Sequence, residues 1–134
     1  MSEMILIMKK RILVIEDERE ISMIMRMRLE AAGYAVTEAF DGEEGLSQAK
    51  TCRPDLILLD LVLPKMSGMQ ILDELKRDEK YRFIPIVIVT GLTQDAANHQ
   101  AAVSKADAYF LKPYDTIELM TTVADFLKDG SPQR

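Results

Sequence analysis

Asp55–Gly68, DLILLDLVLPKMSG, is the stretch whose reading decides the fold. Leu56, Ile57, Leu58 and Leu59 form a continuous apolar run. It is too short for a helix and reads as a strand buried on both faces, as in a parallel sheet covered by helices. Asp60 is the first residue to leave that run, and Pro64 and Gly68 close the loop behind it. Ligands of open α/β sheets bind at the carboxyl ends of the strands, so an acid at this point is placed for chemistry. Taken alone, it could equally cap the next helix.

Working outward, Arg11–Ile15 (RILVI) is a second such run and ends in Glu16 and Asp17. Residues 18–32 carry Ile21, Ile24, Met25 and Leu29 at helical spacing, with Gly33 standing where a helix stops. Ala35–Ala39 reads as a short strand, Gly42–Thr51 as a helix with Leu46 and Ala49 inward, and Pro54 punctuates before the central strand. Beyond the opening stretch, Gly68–Arg77 places Ile71, Leu72 and Leu75 on one helical face, and Pro85 opens Ile86–Thr90 (IVIVT). Thr93–Lys105 is a weaker, alanine-rich helix, Ala108–Leu111 a fifth strand, and Asp115–Lys128 a last helix capped by Asp115. Five strands alternating with five helices predict an α/β fold, a doubly wound parallel sheet with right-handed crossovers. In the flavodoxin-like order 2-1-3-4-5, the strands ending at Asp17 and Asp60 are neighbours at the switch point, and three carboxylates meet. Their repulsion calls for a cation, and carboxylates with a carbonyl and waters suit Mg²⁺.

The composition bounds the function. With 134 residues, 48% of them apolar and 29% charged, the chain fits one globular domain. A net charge of -5 argues against nucleic acid as a direct partner, and Lys9, Lys10 and Arg11 form the only basic cluster. The lone Cys52 and the lack of any membrane-length apolar run point to a reducing cytoplasm without membrane contact. Met1–Met8 is apolar but lacks the order of a signal peptide, so residues 1–10 are expected to lead into the first strand. Residues 129–134 form a polar tail or the start of a linker.

Thr90 and Lys112, the latter followed by Pro113, close two further strands. An anionic nucleophile, a divalent ion, a hydroxyl and an ammonium are what phosphoryl transfer needs, and a carboxylate can itself accept the phosphoryl group. The motifs IEDE (Ile15–Glu18), DLVLPKMSG (Asp60–Gly68), VTG (Val89–Gly91) and FLKPY (Phe110–Tyr114), in this order, resemble the receiver domain of two-component response regulators, including chemotaxis regulators. The resemblance covers Arg11 to about Lys128. It implies that Asp60 is the phosphoacceptor, Asp17 a direct Mg²⁺ ligand, Glu16 a ligand direct or through water, and Val62 a backbone-carbonyl ligand. Thr90 becomes the switch hydroxyl, Lys112 the cation paired with the phosphoryl group, and Tyr109 the aromatic that packs inward as Thr90 moves. A cis peptide between Lys112 and Pro113 is implied as well. The chain departs from the family in carrying Glu16 where Asp is commoner. Val62 and Leu92 are apolar where fast-dephosphorylating members are polar, which implies slow loss of phosphate.

The implied partners are a sensor histidine kinase or histidine phosphotransfer protein, and an output protein or domain. On the first helix Met23 and Met27 flank Ile24 beside Ile21, a methionine-rich face suited to an adaptable partner surface, and the family docks its kinase against this helix. A wide apolar face covered by neighbours is the competing reading. Three alternatives remain open at this point. One is a receiver fragment of a longer regulator with a missing output domain. A second is a dehalogenase-like phosphatase with an Asp nucleophile, which wants an acid where Val62 stands. The third is a flavodoxin, for which the acids Glu16–Glu20 would repel a phosphate.

Overall fold

The structure, a computed structural model, describes residues 9–91 and 96–128, with the side chains of 96–99 left aside. Leu92, Thr93, the side chain of His99, most of the segment leading into the first strand, and the tail 129–134 therefore lie outside the described residues. In chain order the elements are β1 Arg11–Ile15, α1 Arg19–Ala31, β2 Ala35–Ala39, α2 Gly42–Cys52, β3 Leu56–Leu59, α3 Gly68–Arg77, β4 Ile86–Thr90, α4 Ala96–Lys105, β5 Ala108–Leu111 and α5 Thr116–Phe126. The strands form one parallel sheet in the order β2-β1-β3-β4-β5.

Alternate residues of each central strand go to opposite faces, which is why β1, β3 and β4 read as unbroken apolar runs. Leu13, Ile15, Ile57, Leu59, Ile86 and Ile88 pack with Ile71, Leu72 and Leu75 of α3 and with Ala49 and Ala102. Ile12, Val14, Leu56, Leu58, Val87 and Val89 pack on the other face with Met25 and Leu29 of α1 and Leu119 and Val123 of α5.

Local chemistry ends the helices where the chain turns. Gly33 takes φ 101°, its N–H donates to Glu30 O at 3.0 Å, and the Tyr34 N–H donates to Leu29 O at 3.1 Å. This is the paired bonding of a left-handed C-terminal cap, a conformation that costs glycine least. Ser67 and Gln70 form a reciprocal capping box at the start of α3, and Asp115 accepts from the Glu118 N–H at 3.0 Å.

On α1 Met25 and Leu29 are buried and Ile21 is half-buried, Ile24 faces out between Met23 and Met27, and Ser22, which the spacing did not mark, takes a place in the interior. The small hydroxyl is satisfied there because Ser22 Oγ donates to Glu38 of β2 at 2.7 Å, and the same carboxylate takes Arg26 Nε at 3.0 Å. A larger aliphatic at position 22 would have to displace that pair.

Candidate functional site

The sheet register builds the site. Ile15 pairs with Leu59, so the next residues of two adjacent strands are Glu16 and Asp60. Two backbone bonds fix this geometry, Asp60 N–H to Ile15 O at 3.1 Å and Glu16 N–H to Ala39 O at 3.0 Å. Thr90 is paired with Leu111, which puts Lys112 one step beyond, its N–H on Thr90 O at 2.9 Å. The Lys112–Pro113 peptide is cis, as expected.

All of these side chains converge on one carboxylate. Asp60 is 7% exposed. Its Oδ1 accepts from Thr90 Oγ1 at 2.7 Å and from the Val62 N–H at 3.0 Å, and its Oδ2 accepts from Lys112 Nζ at 2.9 Å. Lys112 Nζ also reaches Glu16 Oε1 at 2.6 Å, while Glu16 Oε2 accepts from the Glu18 N–H at 3.0 Å. Burial pushes the Glu16 carboxyl above its ordinary range, with the Lys112 ammonium and the Glu18 N–H pulling the other way. For Lys112 burial opposes the charge, but the bonds to Glu16 and Asp60 outweigh it and raise its pKa.

Asp17 is exposed beside this cluster, and oxygens of Glu16, Asp17 and Asp60 all lie within 4.8 Å of one another. Three hard oxygen donors this close fit a divalent cation such as Mg²⁺. Tyr109 of β5 is half-buried and packs against the core on the α3 and α4 side. Burial, with the Asp60 charge, raises its hydroxyl pKa and keeps it protonated. Val62 points its side chain to solvent, 58% exposed, while its N–H turns back to Asp60.

Asp60, Thr90, Lys112, Glu16 and Asp17 are thus brought together as expected, with Tyr109 in the strand before Lys112. Sequence reasoning missed the Lys112–Glu16 contact and the Glu18 N–H that anchors Glu16. The first is signalled only by the pairing register. Gly68 was marked in the sequence as closing the loop, but not the close approach there, where a β-carbon would stand 2.3 Å from Asp60 O.

The chain matches the response regulator receiver domain over residues 12–124. It is 42% identical over 125 residues to the DNA-binding dual master transcriptional regulator RpaA of Synechocystis, a likeness covering 92% of this chain and 52% of that one. It is 32% identical over 123 residues to the polar-differentiation response regulator DivK of Brucella anthropi, covering 92% of this chain and 100% of the other. A solved structure of similar fold is the receiver domain of sensor histidine kinase PA1611 from Pseudomonas aeruginosa, which has a magnesium ion coordinated in its active-site cleft. It is 26% identical with a TM-score of 0.80, covering 89% of this chain and 98% of that one. The chain spans about half the length of the longer transcriptional regulators it matches and the full length of DivK. With the fold, the strand-end cluster and the family match over residues 12–124 all in agreement, the chain belongs to the receiver domains of response regulators.

Proposed function

We propose that Asp60 accepts a phosphoryl group from a phosphohistidine of a sensor kinase or phosphotransfer protein, and that the altered surface then binds an output protein or domain. The observation that carries this reading is the buried Asp60 carboxylate, held by Thr90, Val62 and Lys112 beside two further acids. An Asp60 oxygen attacks phosphorus, the P–N bond breaks, and the imidazole leaves with the bonding pair and takes up a proton. Asp17, Asp60, Glu16 and the Val62 carbonyl would hold a Mg²⁺ that neutralises charge gathering on the transferred oxygens. Lys112 would serve the same end with its ammonium, which already lies on Asp60 Oδ2, and Thr90 would donate its hydroxyl to the phosphoryl group. Tyr109 packs inward in step with Thr90.

The receiver unit spans residues 11–128, with 1–10 leading into it and 129–134 a tail or the start of a linker. A cytoplasmic setting goes with a kinase as donor. No helix among the described residues is long and apolar enough to cross a membrane. Exposed Met23, Ile24 and Met27, with half-buried Ile21, supply the face for the kinase or phosphotransfer protein. A dehalogenase-like phosphatase is disfavoured because the residue two beyond the nucleophile, Val62, turns an aliphatic side chain to solvent. The only catalysis in this reading is the chain's own phosphorylation and dephosphorylation.

The test is intact-mass spectrometry after incubation with a small acyl or amido phosphodonor and Mg²⁺. Wild type should gain one phosphoryl mass and Asp60→Asn none. Full labelling of the variant would refute the assignment, and the near-isosteric exchange leaves the fold as a control.

A further inference from the structure

The end of the sheet opposite Asp60 carries an open groove of about 280 Å³ whose apolar lining is Pro54, Phe83, Ile84, Pro85 and Leu127. An apolar cavity of about half that volume holds a benzene-sized group, so the groove has room for more than one aliphatic side chain. Phe83 is 57% exposed there, with the Arg82 guanidinium 5.0 Å from its ring. A large exposed aromatic continuous with an apolar groove marks a contact surface. The chain enters the fold at this same groove. Lys10, which also lines it, gives its carbonyl to the Ala35 N–H at 2.9 Å, and the Arg11 N–H donates to Asp55, a further lining residue, at 2.7 Å. The residues ahead of Lys9 therefore start at the edge of the groove. Among them Met4–Met8 (MILIM) is an unbroken uncharged run, aliphatic in its middle and flanked by thioethers that adapt to irregular apolar surfaces. The other end of the chain has the wrong chemistry. Leu127 lines the groove, but residues 129–134 read DGSPQR, polar and charged.

We propose that Met4–Met8 folds back on its own chain and seats its aliphatic side chains in this groove, against Phe83, Ile84 and Leu127. The seat takes an apolar run out of water and covers Phe83 in the same step. Through Leu127 it ties the start of the chain to the end of α5, so the point from which the chain runs on past residue 128 is held against the sheet. Lys9 and Lys10, between the run and β1, are half-buried, and such side chains lay their stems on apolar surface while the ammonium stays in water.

A double-mutant cycle in the full chain, read by equilibrium denaturation, tests the seat. Phe83→Ala should raise the unfolding constant about tenfold in the wild-type background, the scale of uncovering part of a buried aromatic. In a chain whose groove has been emptied by Ile5→Asp with Leu6→Asp, the same change should cost about twofold or less, as an ordinary surface substitution does. Equal factors in the two backgrounds would overturn the proposal. A measurement on the unsubstituted chain guards against variants that fail to fold. Nuclear Overhauser contacts should join the methyl groups of Ile5, Leu6 or Ile7 to the Phe83 ring or to Leu127, and a spectrum without them would overturn the seat. Mixing chains of different isotope labelling separates one further occupant. Contacts found only between differently labelled chains, together with a dimer in sedimentation, would mean that a second copy's segment fills the groove, and would overturn seating within one chain.

Discussion

Gly68 leaves no room for a β-carbon, which would stand 2.3 Å from Asp60 O and 2.6 Å from Leu61 Cα. Both neighbours are backbone, and Gly68 N–H is bonded to Leu61 O at 3.0 Å, so the loop carrying Asp60 has to move if the glycine changes. Gly68→Ala should therefore destabilise the protein by about 1–3 kcal/mol, even though alanine favours the helix by roughly 0.5–1 kcal/mol. Chemical denaturation measures this, and an unchanged midpoint would contradict the close approach. Val62 bears on the lifetime of the phosphorylated form. Hydrolysis of an aspartyl phosphate needs an aligned water, and an exposed valine side chain two residues from Asp60 offers it no acceptor. Val62→Asn should shorten the half-life of the phosphoprotein at fixed pH and Mg²⁺ by roughly threefold to tenfold, the scale of one positioning contact. Equal decay of the two proteins would count against that role. Leu92, the second aliphatic expected beside this path, lies outside the described residues.

At the scale of elements, α2 starts on Asp41, whose carboxylate accepts the Glu44 N–H at 2.8 Å. That bond lowers the Asp41 pKa, with the Lys65 charge assisting. A depressed pKa in the folded state means stability that is complete above the ordinary carboxylate range and is lost as pH falls through the folded value. The melting temperature of Asp41→Ala should thus lie below wild type at neutral pH, and the gap should close in acid. A constant gap from neutral to acid pH would mean the cap is not acting through its charge. Such elements were legible in the sequence because their signals are local: Gly33 after α1, Asp115 before α5, and the unbroken runs of β1, β3 and β4 mark themselves. Ser22 was not legible. Its burial depends on Glu38, sixteen residues away on another element, and no helical period announces a hydroxyl satisfied across elements. The Glu16–Lys112 contact, ninety-six residues apart, was hidden for the same reason, although each partner was recognised singly. Ile24 shows the converse, an aliphatic whose outward place between Met23 and Met27 was legible from the helical period alone.

For the whole molecule, the cation-site residues follow β1 and β3 while Thr90 and Lys112 come from β4 and the end of β5, so the cluster exists only when four strands are in register. An unfolded chain scatters these groups, and a ligand that binds only the folded form stabilises it by mass action. Mg²⁺ at a hundredfold excess over its dissociation constant should then raise folding stability by about 2.7 kcal/mol. Asp17 is the residue with which to test this. Its side chain is exposed, so Asp17→Ala should change stability by no more than about 0.5 kcal/mol without added metal, the usual range for a surface substitution. Glu16 and Asp60 are less suitable, because each holds Lys112 and its loss would leave a half-buried ammonium short of a partner. Thermal melts of wild type and Asp17→Ala, each with and without Mg²⁺ and with Ca²⁺ at equal ionic strength as a control, separate site binding from charge screening. Wild type should gain stability with Mg²⁺ and the variant should lose most of that gain. An equal gain in both proteins would mean that the ion acts on the overall charge of -5 and not on the strand-end cluster.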